Sequence, residues 1–222
     1  MRRWIMDSTP GRGRRVALST VLLGGVLLTA GAFSSPAVAT SDGTVTKTTT
    51  YSINCNAGVI GLGAETVTTT QTAPSSVLPG AKIAIKWKSK VLISAAQDKE
   101  AWALTARSFK GTVTNDVDNS SDASPKAVNI AGTKGIPFEA NLVGPPNYGP
   151  AYEYSPLPTG SLATTPSFTA GAKGTDKVTA GVDDATATLY SGPNGTGTML
   201  GKISVTCSAP SKPATIDSIA VS

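Results

Sequence analysis

Apolar and polar residues alternate with a period of two along much of the chain, most clearly between positions 82 and 93. The odd positions there are mostly apolar: Ile83, Ile85, Trp87, Val91 and Ile93. The even positions include four lysines, Lys82, Lys86, Lys88 and Lys90. Because successive side chains of a strand point to opposite faces, this pattern predicts a strand with one buried and one solvated face.

Shorter runs rich in threonine and other β-branched residues, separated by Gly, Pro and Asn, predict nine further strands. They cover residues 44–53, 65–72, 109–114, 127–131, 138–143, 167–170, 177–181, 185–190 and 199–207. Asn194-Gly195, between the last two strands, is a strong hairpin signal.

One segment has helical rather than strand periodicity. Ser94 and Gln97 form a capping-box sequence. The residues that follow place four apolar side chains on one helical stripe, Ala95, Trp102, Ala106 and Phe109. We predict a short helix over 95–107. Many short strands with one short helical insert favour a mainly β fold, an immunoglobulin-like two-sheet sandwich, with a closed β-barrel as the alternative.

The first 39 residues have the organisation of an export signal. Five arginines precede an apolar stretch at 16–33, and Ala37-Val38-Ala39 supplies the small residues that a signal peptidase accepts. We predict a signal peptide over 1–39, cleaved after Ala39. An uncleaved membrane anchor is the alternative, because the stretch approaches the ~20 residues that span a bilayer. Cleavage predicts a secreted or cell-wall-associated protein that is free of the membrane.

The chain has two cysteines, Cys55 and Cys207. Each lies on the side of its predicted strand that carries the apolar residues, and an exported chain meets an oxidising compartment. We therefore predict one disulfide that ties the first strand to the last. It would close a single domain over 40–208 and leave 209–222 as a C-terminal tail, in which 216–221 could add a weak edge strand.

The export signal also changes the charge balance. The whole chain has 19 Lys and Arg against 14 Asp and Glu, and residues 1–39 hold five of the former and one of the latter. The remainder has 14 against 13, a net charge of +1, which does not indicate nucleic-acid binding. The chain has no histidine, so His-dependent triads, His metal sites and a His pH switch are excluded.

The lysine row is the first candidate site. On a strand, Lys82, Lys86, Lys88 and Lys90 would present their ammonium groups on one face in steps of roughly 7 Å. Such a row could bind an anionic cell-wall polymer. The alternative is a solvated face, or an edge strand that its lysines protect from aggregation.

The second candidate is a tyrosine segment. Tyr148, Tyr152 and Tyr154 lie in the proline-rich stretch 145–154, which we predict to be a long loop. Each tyrosine has an apolar ring and a polar tip, so the three could stack on sugar rings or bind a surface protein. Alternatively, the loop packs across the end of the sandwich and covers apolar surface.

The third candidate is acidic. Residues 116–122 read Asp-Val-Asp-Asn-Ser-Ser-Asp and place oxygen atoms at alternating positions, like part of a calcium loop. Ser121 stands where an EF-hand has Gly, and Ala127 stands where it has Glu. We expect a solvated acidic loop. We predict no metal site and no cofactor, although the pattern leaves calcium binding at this loop open.

Catalytic patterns are weak. The chain has no Gly-x-Ser-x-Gly sequence, and the adjacent Asp183 and Asp184 would face opposite sides of a strand. A pair of distant carboxylates is not visible in sequence. We predict that the protein is not an enzyme.

Two segments carry a family resemblance: Tyr-Ser-Ile-Asn-Cys at 51–55 and Gly-Lys-Ile-Ser-Val-Thr-Cys at 201–207. A Thr-rich second strand, a helical insert that leads into 111–113 and a proline-rich stretch lie between them. With these features, residues 44–210 resemble an actinobacterial secreted β-sandwich domain family of unknown function, bracketed by two cysteines. The resemblance implies an extracellular β-sandwich and no catalytic residue. The lysines of the third strand and the tyrosine segment depart from the family pattern.

Taken together, these patterns predict an exported, non-enzymatic binding module of the cell surface or the extracellular space. Its expected partner is an anionic cell-wall polymer or a surface protein. The alternative is a structural component of the cell envelope that self-associates through edge strands.

Overall fold

The folded part of the chain consists of strands joined mostly by short turns. The computed structural model describes residues 43–121, 124–129, 135–165, 167–212 and 214–222. Its strands are β1 (Thr44–Asn56), β2 (Leu62–Pro74), β3 (Ser76–Val77), β4 (Lys82–Ile83), β5 (Lys86–Ile93), β6 (Ser108–Ser121), β7 (Ser124–Asn129), β8 (Ile136–Asn141), β9 (Ala151–Ser155), β10 (Ala163–Thr164), β11 (Phe168–Thr169), β12 (Gly174–Tyr190), β13 (Met199–Ser208) and β14 (Thr215–Val221). One α-helix, α1, spans Ala95–Ala103. The predicted signal peptide, 1–39, lies outside the described residues.

Eight of these strands form a closed ring. The order around it is β1-β2-β5-β9-β8-β6-β12-β13, and β13 pairs again with β1. Every neighbouring pair in the ring is antiparallel. The mainly β prediction is confirmed, and the β-barrel describes the fold better than the immunoglobulin-like sandwich, since pairing continues around the ring instead of stopping at sheet edges.

Strand β9 is the barrel strand that the sequence patterns do not predict. Residues 151–154 were expected to lie in the loop 145–154, but β9 pairs with β5 on one side and with β8 on the other. Pro150 and Pro156 flank the strand, and Glu153 occupies an inward position. A polar residue at an inward position interrupts the alternation of apolar and polar residues from which a strand is predicted.

The C-terminal segment 209–222, predicted as a tail in which 216–221 could add an edge strand, contains the strand β14. It pairs with the first half of β12, while β13 pairs with the second half. A bulge between Val178 and Thr179 leaves Ile216 without a partner. Ile216 and Asp217 are consequently both buried, as expected where an extra residue interrupts strand alternation.

Residues 116–121 are strand rather than an acidic loop. They continue β6 and pair with β7, where Ser121 lies opposite Ser124. Asp122, the last residue of the predicted calcium pattern, lies outside the described residues.

The buried apolar side chains of the described residues form three clusters. The largest contains Trp87, Phe138 and Ile219. A second lies at the end covered by α1 and includes Ala101 of that helix. The third surrounds the two cysteines and includes Val67. The inward face of β5 is mostly apolar, as its alternation predicts, whereas that of β2 includes the buried polar residues Thr69 and Gln71.

Helix α1 begins as predicted and ends early. The hydroxyl of Ser94 accepts the backbone N–H of Gln97 at 3.2 Å, which is the N-cap bond of a capping box. The helix ends at Ala103 rather than 107, and Thr105 adopts a positive φ of 64°. A non-glycine residue in this left-handed region does not continue a right-handed helix.

Candidate functional site

The predicted disulfide is confirmed. Cys55 and Cys207 lie directly opposite each other on β1 and β13, with their Cα atoms 4.0 Å apart. A carboxylate oxygen of Glu65 lies within 4.8 Å of both sulfur atoms. These sulfurs are bonded to each other and are not thiolates, so the group lacks the charged ligands of a cysteine metal site.

The lysines occupy the outer side of the predicted strand. Ile83, Ile85, Trp87, Ser89, Val91 and Ile93 are all buried, while Lys86 and Lys88 are exposed and Lys90 is half-buried. The strand itself is interrupted at 84–85, so that Lys82 lies on β4 and the other three lysines lie on β5. The Nζ of Lys82 donates a hydrogen bond to Thr169 Oγ1 at 2.6 Å.

Two of the three tyrosines, Tyr152 and Tyr154, lie next to the lysine row. Lys90 Nζ lies 3.6 Å from the ring centroid of Tyr152 and 5.8 Å from that of Tyr154. The two rings are 6.4 Å apart. This contact follows from the register of β5 and β9, which places Lys90 opposite Tyr154. Tyr148 lies apart, in a separate groove that it lines with Leu92 and other residues.

Threonines extend the lysine row across two more strands. Their pattern in the sequence predicted only strands and not a shared surface. The register places Thr50 beside Thr68 and Thr68 beside Lys90. The next two rows are Thr48, Thr70 and Lys88, then Thr46, Thr72 and Lys86. Hydroxyl oxygens of the threonine pairs lie 2.8 to 3.2 Å apart. We name these nine residues the Thr–Lys face.

The Thr–Lys face has little local compensation for its charge. In the part of the chain that the structure describes, Lys86, Lys88 and Lys90 form no ion pair. On β8, Glu139 lies opposite Tyr154, and its carboxylate lies 3.3 Å from Lys110 Nζ. A shallow groove beside the face is lined by Lys88, Lys90, Tyr154 and several hydroxyl groups. The arrangement offers ammonium, hydroxyl and phenol groups to one extended ligand.

A second site lies inside the barrel. A cavity of about 60 Å³, the volume open to the centre of a water-sized sphere, is lined by residues of seven barrel strands and of α1. Its lining includes Glu65, Glu153 and Asp183. Sequence reasoning missed these carboxyl groups as a set, because they come from three strands that are distant in sequence.

The environment of the cavity raises the pKa of two of these carboxyls. Burial raises the pKa of Glu65 to about 7, against a smaller opposing effect of its hydrogen bond with Gln97. Burial raises the pKa of Glu153 well above its usual range, and the nearby charges of Glu65 and Asp183 raise it further. Burial, followed by the charge of Asp183, also raises the pKa of Tyr51.

No protein-family model, curated protein or solved structure matches the chain. The resemblance to an actinobacterial secreted family stays a prediction. Among the described helices, none combines the length and the hydropathy that crossing a membrane requires.

Proposed function

We propose that the protein is an exported, non-enzymatic binding module whose Thr–Lys face binds an anionic polymer of the cell envelope. The observation that carries this proposal is the row of Lys86, Lys88 and Lys90 on one outer strand, in register with two columns of threonine and next to the paired rings of Tyr152 and Tyr154. The protein acts at the cell surface or is released beyond it.

The spacing of the face suits a repeating ligand. Alternate residues of a strand are ~7 Å apart and neighbouring strands are ~4.8 Å apart, so the lysines form a regular line of positive charge. An exposed ion pair contributes about 1 kcal/mol or less, so useful affinity requires several lysines that act together on one polymer. The threonine hydroxyls add hydrogen-bonding groups along the same line.

The tyrosines contact the lysine row at Lys90, one end of the row. The ring of Tyr152 lies close to the ammonium group of Lys90, within the range in which a cation is attracted to an aromatic face. The two half-buried rings can also contact the apolar face of a sugar. This combination favours an anionic polymer that contains sugar or polyol units over a simple inorganic anion.

The alternative, a structural component that self-associates through edge strands, has less support. In the closed ring, each of the eight barrel strands pairs on both sides, although β1 and β13 pair with each other only at 54–56 and 206–208. Among the described strands, β7 and β3 lie at the ends of the pairing order, and β10 and the separate pair of β4 and β11 also have open edges. Sedimentation analysis without added polymer distinguishes the two, because the binding module stays monomeric and the structural component associates.

The test is binding to poly(glycerol phosphate) by the protein without residues 1–39. Replacing Lys86, Lys88 and Lys90 with Gln keeps a polar outer face, and we expect affinity at low salt to fall at least tenfold. The matched control replaces three exposed lysines elsewhere, Lys99, Lys173 and Lys212, with Gln. The parent protein should lose binding near 1 M salt, where the Debye length is about 3 Å. Equal losses in the variant and the control would contradict a specific face.

A further inference from the structure

The barrel interior holds polar chemistry that the Thr–Lys face does not use. Of the 18 residues that line the cavity, 13 are apolar and five are Glu65, Ser89, Gln97, Glu153 and Asp183. No Lys or Arg is among these 18 residues of the described chain. An apolar cavity with a few convergent polar groups is the usual form of a small-molecule site, and eight-stranded barrels enclose one small ligand in several protein families.

We infer that this cavity binds a small organic cation with an apolar body and one ammonium group. The inference is independent of the proposed function, since the cavity lies inside the barrel and the Thr–Lys face lies outside. It rests on the placement of the carboxyl groups of Glu65 and Glu153 in one mostly apolar cavity.

The carboxyl groups define the charge of the ligand. Glu65, Glu153 and Asp183 line the same cavity, and the charges of Glu65 and Asp183 raise the pKa of Glu153. Burying a carboxylate in apolar surroundings is unfavourable unless a cation or hydrogen bonds compensate it. A bound ammonium group would supply this compensation, whereas an anionic ligand would add to the repulsion.

Ser89 gives an independent indication of a ligand. It is 9% exposed and lines both the cavity and the outer groove beside Lys88 and Lys90. Its hydroxyl has no hydrogen-bond partner among the described residues and is not fully buried, so it has capacity for a ligand or a water molecule. An ammonium group has three donors, enough to contact Ser89 and two carboxylates.

The remaining lining defines the body of the ligand. Ile53, Val67, Val91, Phe109 and Val205 belong to five different strands and provide an apolar wall. Since a water molecule needs roughly 10–15 Å³ by the same measure, the cavity has room for several waters or for one small organic molecule. Displacing water from an apolar wall favours an alkyl or aryl group.

The test compares three probes of equal length: n-butylamine, n-butanol and butyrate. Binding is followed by NMR through the methyl resonances of Ile53, Val67 and Val91, which report directly on the cavity. We expect butylamine to bind at least tenfold more tightly than butanol, and butyrate not to bind. Equal affinities for amine and alcohol would overturn the inference. So would the absence of methyl shifts with all three probes, which would mean that the cavity holds only water.

Substitutions of single carboxyl groups test which residue causes the preference of the cavity for an amine over an alcohol. Glu153→Gln keeps the shape of the side chain, and we expect it to lose the preference for amine over alcohol. The control is Glu100→Gln on the exposed side of α1, which should keep the preference. If Glu153→Gln unfolds, Glu65→Gln provides the same comparison, and a retained preference in either folded variant would contradict the assignment. The triple lysine variant should bind butylamine like the parent, which separates this inference from the proposed function.

The pH dependence gives a second readout. The titratable groups facing the site are Glu65 on β2, Glu153 on β9 and Asp183 on β12, with Tyr51 of β1 beside Asp183. An ammonium ligand favours ionised carboxylates, so affinity for butylamine should rise as pH increases through about 7, with release of a proton on binding. Affinity for butanol should not rise, and a parallel rise for both probes would overturn the inference.

Discussion

Glu65 and Glu153 carry carboxyl groups into an interior that is otherwise mostly apolar. Glu65 has a hydrogen-bonding neighbour in Gln97, whose side-chain oxygen also accepts the hydroxyl of Ser94 at 2.9 Å. The capping residues of α1 and a cavity carboxyl therefore share one network.

Ionisation of Glu65 should make the stability of the protein depend on pH. A carboxyl whose pKa rises from 4.5 to about 7 on folding destabilises its ionised form by roughly 3 kcal/mol. Between these pH values the folded state binds more protons than the unfolded state, so the free energy of unfolding should fall as pH rises from about 4.5 to 7 and beyond. We expect Glu65→Gln to reduce this fall, with little change at pH 4.

Urea unfolding at a series of pH values measures this effect. At pH 8, Glu65→Gln should be more stable than the parent protein, because glutamine resembles the protonated carboxyl that the folded state prefers. Glu100→Gln serves as the control, since Glu100 is exposed on α1. Equal stability of parent and Glu65→Gln at pH 8 would show that the cavity does not disfavour the ionised carboxylate.

At the scale of elements, β14 is attached by polar contacts as well as by its buried apolar residues. The backbone oxygen of Ile216 accepts hydrogen bonds from the side chains of Gln71 and Thr49. Lys47 Nζ lies 2.8 Å from Asp217 Oδ1, and the Asp217 side chain is 2% exposed whereas that of Lys47 is 41% exposed. The cation therefore reaches from the surface to a buried carboxylate.

Removing this cation should destabilise the protein. In Lys47→Ala, Asp217 stays buried without its ion-pair partner, and loss of one member of a buried pair costs about 3–5 kcal/mol. Because Lys47 is partly solvated, we expect a smaller loss of about 1–3 kcal/mol in urea unfolding. Lys99→Ala, on the exposed side of α1, should change stability by less than about 0.5 kcal/mol. Combining Lys47→Ala with Asp217→Asn should recover part of the loss, and no recovery would argue against a charge effect.

The elements that sequence could predict are those with one apolar and one polar face. Strand β5 and the outward direction of its lysines follow from alternation alone. Strand β9 does not, because Glu153 occupies an inward position and prolines flank a run of only five residues. The contact between Lys90 and Tyr152 depends on the pairing of β5 with β9, which no local pattern specifies. The cavity also depends on strand pairing that no local pattern specifies. In addition, acidic residues are rarely buried, so their place inside the barrel contradicts the usual rule.

At the scale of the whole molecule, neighbouring strands of the ring pair over very different lengths. Strand β12 pairs with β6 along most of its length, from Lys177 opposite Ser120 to Tyr190 opposite Ser108. Strand β1 pairs with β13 only at residues 54–56 and 206–208. The disulfide lies at the centre of this short seam, so a covalent bond reinforces one of the places where the ring has the fewest strand pairs.

Loss of the disulfide should therefore weaken the whole molecule and open this seam first. The two cysteines are 152 residues apart in sequence, and the chain-entropy model gives roughly 5 kcal/mol for a loop of that length. We expect the double variant Cys55→Ala and Cys207→Ala to lose about 2–5 kcal/mol in urea unfolding. In hydrogen exchange, amides of 54–56 and 206–208 should lose protection before those of the β6 and β12 pairing. A uniform loss of protection would mean that the bond acts only on the unfolded chain, and unchanged stability would mean that strand pairing alone closes the barrel.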